Sequence, residues 1–117
     1  MVTVYRVQDK ENRGPWRPGF SRMWVEDRTD AEYARLAPVH QEMPDAVHIR
    51  GAFCACRSLK QLGLWVRPSE YRTLRGYGYR CVRITNCEIL AESATQLVVR
   101  RTKRSKQKLV GTFGENK

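Results

Sequence analysis

Ser58-Leu59-Lys60-Gln61-Leu62-Gly63-Leu64-Trp65-Val66-Arg67-Pro68-Ser69-Glu70-Tyr71-Arg72-Thr73-Leu74-Arg75-Gly76 runs into Tyr77-Gly78-Tyr79-Arg80-Cys81-Val82-Arg83-Ile84, and the change of period between the two decides the fold class. Ser58 and Gln61 stand at capping-box spacing, where a Ser oxygen and a Gln amide satisfy two backbone groups orphaned at a helix start. Leu59, Leu62 and Val66 fall on one helical face, with Trp65 nearby. Pro68-Ser69-Glu70 starts a second short helix. Tyr71 and Leu74 are its inward candidates, and Gly76 is a natural C-cap. From Tyr79 the period becomes two. Residues 79–84 read as a strong strand that residues 88–90 extend or follow.

Outward from this stretch, residues 95–101 read as a further strand with Leu97, Val98 and Val99 at its centre. Residues 2–7 and 47–53 read as two more, with Gly51 marking a bulge in the second. Between them, Gly14-Pro15 and Pro18-Gly19 interrupt regular structure, and Trp16 and Phe20 are apolar anchors for an ordered loop. Residues 26–46 carry six acids (Glu26, Asp27, Asp30, Glu32, Glu42 and Asp45) against Arg28 and Arg35, a local net of −4. Thr29 or Asp30 can cap a short helix through Leu36, while Pro38 and Pro44 limit anything longer. The order strand, loop region, strand, helix pair, strands predicts an α+β fold: a small, mostly antiparallel sheet with two short helices packed on one face. One domain is expected over residues 1–117, with a basic tail from about 103 that frays beyond Lys108.

Hydrophobic residues make up 41% of the 117, enough to bury a core, and no apolar run approaches a membrane span. The alternating N-terminus does not read as a signal peptide, so a cytoplasmic location is expected. The formal charge of +10 favours anionic partners: nucleic acid, a nucleic-acid-bound complex or an acidic protein face. Solubility alone is the competing explanation for that charge. Nothing in the sequence sets the oligomeric state.

The densest cluster is Arg100, Arg101, Lys103, Arg104, Lys106 and Lys108, six basic residues in nine. If the strand continues, alternation puts Arg101 and Lys103 on one face and Arg100, Arg104, Lys106 and Lys108 on the other. Such a ladder suits a phosphate backbone, where each neutralised phosphate releases a counterion; a charged ladder also protects a sheet edge from aggregation. A second group, Arg67, Arg72, Arg75, Arg80 and Arg83, interleaves with Tyr71, Tyr77 and Tyr79, a composition suited to phosphate contact plus base stacking. Cys54, Cys56, Cys81 and Cys87 are spaced C-x-C and C-x5-C. Neither His40 nor His48 completes a zinc set, so reduced thiols without metal are expected. No nucleophile-base pair, phosphate loop or metalloprotease motif is present, so no catalytic residue and no cofactor is assigned from motifs.

Two resemblances add to this. Val4-Tyr5-Arg6-Val7, the turn Gly14-Pro15-Trp16-Arg17-Pro18-Gly19-Phe20-Ser21, and the later Ser58-Leu59-Lys60-Gln61-Leu62, Trp65-Val66, Glu70, Leu74 and Gly76-Tyr77 together resemble small proteins carried by bacterial phages and prophages. Accessory proteins of that kind include anti-CRISPR inhibitors, so the resemblance implies a host-defence or host-takeover role. Many of those inhibitors are acidic nucleic-acid mimics, and this basic chain departs from that pattern. The chain also resembles the ADP-ribosyltransferase fold. Arg6 matches its first-strand Arg or His, and Ser58 its middle-strand Ser or Thr. Gln96 stands where a late strand should begin with Glu. A neutral amide cannot stabilise an oxocarbenium-like centre, which weighs against transferase activity. The expectation is therefore a non-enzymatic binding protein of phage type. An NAD-using ADP-ribosyltransferase-like enzyme and an assembly protein are the alternatives.

Overall fold

A computed structural model describes residues 1–17, 19–29, 36, 38–111 and 113. Its strands are β1 (Val2–Gln8), β2 (Ala52–Ala55), β3 (Arg80–Glu92), β4 (Leu97–Arg100) and β5 (Gln107–Leu109). All pairings are antiparallel, in the order β1-β3-β4-β2, with β5 added to β3. β3 is the spine: its first half pairs with β1 and β5, its second half with β4. The two strands expected at 79–84 and 88–90 are one element, in which Asn86 takes a left-handed φ of 55°. The sheet curls until Tyr5 and Cys56 exchange two backbone hydrogen bonds, of 2.8 and 2.9 Å, which brings the chain just after β2 against β1.

Both helices follow their sequence signals. In α1 (Leu59–Trp65), Ser58 Oγ accepts from the Gln61 amide at 3.0 Å, while Gln61 Oε1 reaches one residue further back, to the Arg57 N–H. In α2 (Pro68–Gly76), Tyr71 and Leu74 are buried. The residue that reverses the chain after α2 is Gly78, at φ +89°, rather than Gly76; the Tyr79 N–H then returns to the Leu74 carbonyl at 3.1 Å.

Alternation along the strands builds a core on each side of the sheet. Val4, Val82, Ile84, Leu97, Val99 and Ala55 meet inside the curl. Val7 and Cys81 face the other way, beneath Leu62, Val66, Tyr71 and Leu74 of the helices. The loop after β1 is held there by its aromatic residues. Trp16 meets Trp24 edge-on at 4.8 Å, and Phe20 stacks on Tyr79 at 5.4 Å.

Three sequence expectations change. Residues 46–48 form a 3-10 turn, and the strand begins only at Ala52, after Gly51 turns the chain at φ +82°. Gly51 is thus a turn residue, not a bulge. The tail does not fray at 108: β5 pairs with β3, the Val110 N–H donates to the Cys81 carbonyl at 2.9 Å, and Phe113 is buried against Tyr71. An apolar ring five residues beyond Lys108 supplies the anchor that charge density concealed. The helix expected from Thr29 or Asp30 to Leu36 falls mostly outside the described residues.

Candidate functional site

The basic ladder is not a continuous strand. After β4 the chain leaves the sheet in a tight turn. The Ser105 hydroxyl accepts from the Thr102 N–H at 2.9 Å, and the Thr102 and Ser105 hydroxyls both donate to the Asn86 carbonyl, at 2.8 and 2.9 Å. Lys103 and Arg104 therefore lie at an exposed turn instead of on opposite faces of a strand. In β5 the alternation resumes. Lys108 stands directly opposite Arg83 of β3, and Lys106 lies two residues back along the same edge. Arg83, Lys103, Arg104, Lys106 and Lys108 are all exposed, and no carboxylate among the described residues pairs with them.

The remaining two ladder residues are engaged. Arg100 bonds the carboxylate of Glu88, its cross-strand neighbour, at 2.8 Å. Arg101 donates to Gln107 at 2.8 Å and lays its guanidinium over the Phe53 ring, 5.4 Å from the centroid.

The arginine–tyrosine group separates into parts. Arg72 and Arg75 lie on the exposed side of α2. Arg80 turns back to the end of that helix, donating to the Arg75 carbonyl at 3.2 Å and the Tyr79 carbonyl at 2.7 Å. Arg67 reaches the Asp27 carbonyl at 3.1 Å. Tyr71 and Tyr79 are core residues rather than stacking platforms. The Tyr71 hydroxyl accepts from the Cys81 N–H at 2.8 Å, and the Tyr79 hydroxyl accepts from Arg17 at 2.7 Å. Tyr77 is half-exposed, with Phe20 edge-on at 5.3 Å.

Sequence reasoning named Arg6 and Gln96 only through a resemblance and did not foresee the cavity that both border. Arg6, opposite Val82 in the register, points the same way as Val4 and is 8% exposed. Its guanidinium lies 4.8 Å from the Phe53 centroid, and its Nε is sealed from solvent without a hydrogen-bond partner. Burial draws it down to about 10, and the like charge of Arg101 adds to that, against the pull of Cys54 and Asp9. A cavity of about 840 Å³ opens beside it, walled by Trp16, Phe53, Leu62, Trp65 and Val66. Gln96 borders the same cavity, with its amide donating to Glu42 at 2.8 Å. Ser58 does not border it; that hydroxyl caps α1. Two of the three positions that resemble an ADP-ribosyltransferase are thus brought together and the third is used elsewhere.

The thiols are free, and burial pushes Cys56 and Cys81 up to about 12. Among the described residues no helix is long and apolar enough to cross a membrane.

Fold and surface together define a small basic protein of the α+β class, with a curled antiparallel sheet and, among the described residues, two helices longer than a single turn. Residues 1–111 match the model of the Bacteriophage T4 Y00F protein family, and the chain belongs to that family. No curated protein and no solved structure matches it.

Proposed function

We propose that this member of a phage family is a non-enzymatic binding protein whose β3–β5 face engages nucleic acid. One observation carries the reading: Arg83 and Lys108 stand opposite each other in register, exposed and without a carboxylate, with Lys106 two residues back and Lys103 and Arg104 exposed in the turn before it. Like charges directly opposite one another in a sheet are destabilising, so folding alone gives no reason to keep them. A sheet edge can be protected by a lysine without a second cation facing it across the ladder. A polyanion offsets that repulsion and releases counterions as it binds. For a phage-family protein, a host complex that carries nucleic acid is the partner such a surface suits, and inhibition of a CRISPR effector or nuclease is the finer form of the reading.

Fluorescence anisotropy with labelled oligonucleotides, titrated at several salt concentrations, tests this. Binding is expected to weaken about tenfold or more between low and physiological salt. Replacing Arg83, Lys106 and Lys108 with Gln is expected to reduce the log–log salt slope by about one per lost phosphate contact. Affinity that ignores salt, or a triple variant that binds like the parent, removes the face from the site.

A further inference from the structure

We propose that Arg6, with Arg101, holds the phosphate of a phosphate monoester whose flat aromatic body lies in the adjoining cavity against Trp16, Phe53 and Trp65. The proposal concerns the two cavities that Arg6 borders and does not depend on the β3–β5 face.

It starts from an unsatisfied charge. Arg6 makes no hydrogen bond and no ion pair with any described residue, although it is almost completely buried. An ionised group taken out of water costs several kcal/mol unless it is paired and hydrogen-bonded, so natural proteins seldom leave one alone. The chain has made room for this one. A Cβ on Gly14 would come within 3.0 Å of Arg6 Nη2, so the glycine clears space for the guanidinium without giving it a partner. The nearby acids are already committed. Asp9 accepts from Arg13 Nε at 2.9 Å, and Glu88 accepts from Arg100 at 2.8 Å.

The surroundings add positive charge. Arg6 and Arg101 both lie over the Phe53 ring, 4.8 and 5.4 Å from its centroid. Arg6, Arg100 and Arg101 all border a cavity of about 480 Å³ that has no Asp or Glu in its wall. Ring quadrupoles stabilise cations but do not neutralise them. Arg100 is paired with Glu88, which leaves Arg6 and Arg101 as two guanidiniums without a carboxylate; such a pair suits a phosphate, whose oxygens match planar N–H forks.

The second half of the ligand follows from the shared wall. Arg6 and Phe53 border both this cavity and the larger apolar one. A phosphate at Arg6 therefore has space of about 840 Å³ beside it, walled by two indoles and Leu62. That volume is in the range of small-molecule sites, and its surface suits a flat, uncharged ring system.

The experiment is a titration followed by intrinsic tryptophan fluorescence and calorimetry. Three probes are used: a nucleoside 5′-monophosphate, the matching nucleoside, and inorganic phosphate. The monophosphate is expected to bind at least tenfold tighter than either fragment and to raise the Tm. Arg6→Met is expected to lose that binding at least tenfold, while its ligand-free Tm holds or rises because an unpaired buried cation has gone. Should Arg6→Met fail to fold, Arg101→Gln decides, with an expected severalfold loss of monophosphate affinity. The Arg83, Lys106 and Lys108 triple variant is expected to bind the monophosphate as the parent does. A monophosphate no tighter than its nucleoside, or folded Arg6→Met or Arg101→Gln protein that binds it like the parent, overturns the proposal.

Discussion

Arg28 and Arg6 both carry side chains withdrawn from water, and the protein treats them in opposite ways. Arg28 Nη2 lies 2.6 Å from Glu70 Oε1, with the two side chains 2% and 0% exposed. The same carboxylate accepts from the Glu26 N–H at 2.7 Å and from the Arg67 N–H at 2.8 Å. One buried anion thus ties residues 26–28 to the start of α2. Arg6 lies in the middle of β1 with an aromatic ring, a second arginine and no anion. Arg28 belongs to a charge-paired network that holds the chain to itself, although its Nη1 is buried without a hydrogen-bond partner. Arg6 differs in having no anion at all among the described residues, and a buried charge of that kind is better explained by a ligand than by folding.

The largest expected effect breaks the charge-paired network. Glu70→Gln removes the charge that Arg28 faces, and about 3–5 kcal/mol of stability is expected to go with it. Urea denaturation reads this directly, and a loss below about 1 kcal/mol contradicts the account. Arg6→Met is the mirror experiment and reverses the sign. It is expected to leave stability unchanged or raise it by about 1 kcal/mol or more, since a similar volume is filled without a charge. If both substitutions destabilise equally, the contrast between the two arginines fails.

A smaller effect comes from the thiols. Cys56 and Cys81 are raised to about 12 in the folded chain, against about 8.5 for an exposed thiol. Their contribution is fully present below the unfolded value and is lost as pH rises toward 12, because the unfolded chain releases those protons first. Arg6, lowered to about 10, works the other way above that pH. Comparing the parent with Cys81→Ala between pH 8 and 11 isolates the thiol. The parent is expected to lose stability more steeply, and parallel curves count against a buried neutral thiol.

Much of the fold was legible because its signals are local. The Ser58 cap, the spacing of Leu59, Leu62 and Val66, and the alternation from Tyr79 each lie within a few residues of the structure they specify. Gly78 was missed in favour of Gly76 because both follow the helical pattern and only the backbone path distinguishes them. The turn at residues 102–105 was hidden because its anchor, the Asn86 carbonyl, lies 16 residues away from Thr102. The cavity was illegible for a stronger reason. Arg6 and Phe53 are remote in sequence, and they meet only because the sheet curls. One signal was present: Arg6 is in phase with Val4, and a cation in phase with a core valine on a strand marks an inward charge.

The order in which the chain is synthesised gives the spine a further meaning. β1 finds its sheet partner only in residues 80–87, and Phe113 reaches the helix core later still. As a nascent chain emerges from the ribosome, its first strand has an unpaired edge until residues 80–87 follow, and the helix core is not sealed until residue 113 is free. Pairings this distant are slow to form, since loop closure must precede the contacts that reward it. The sheet and the helix core therefore close late, once residues 80–87 and then Phe113 are available.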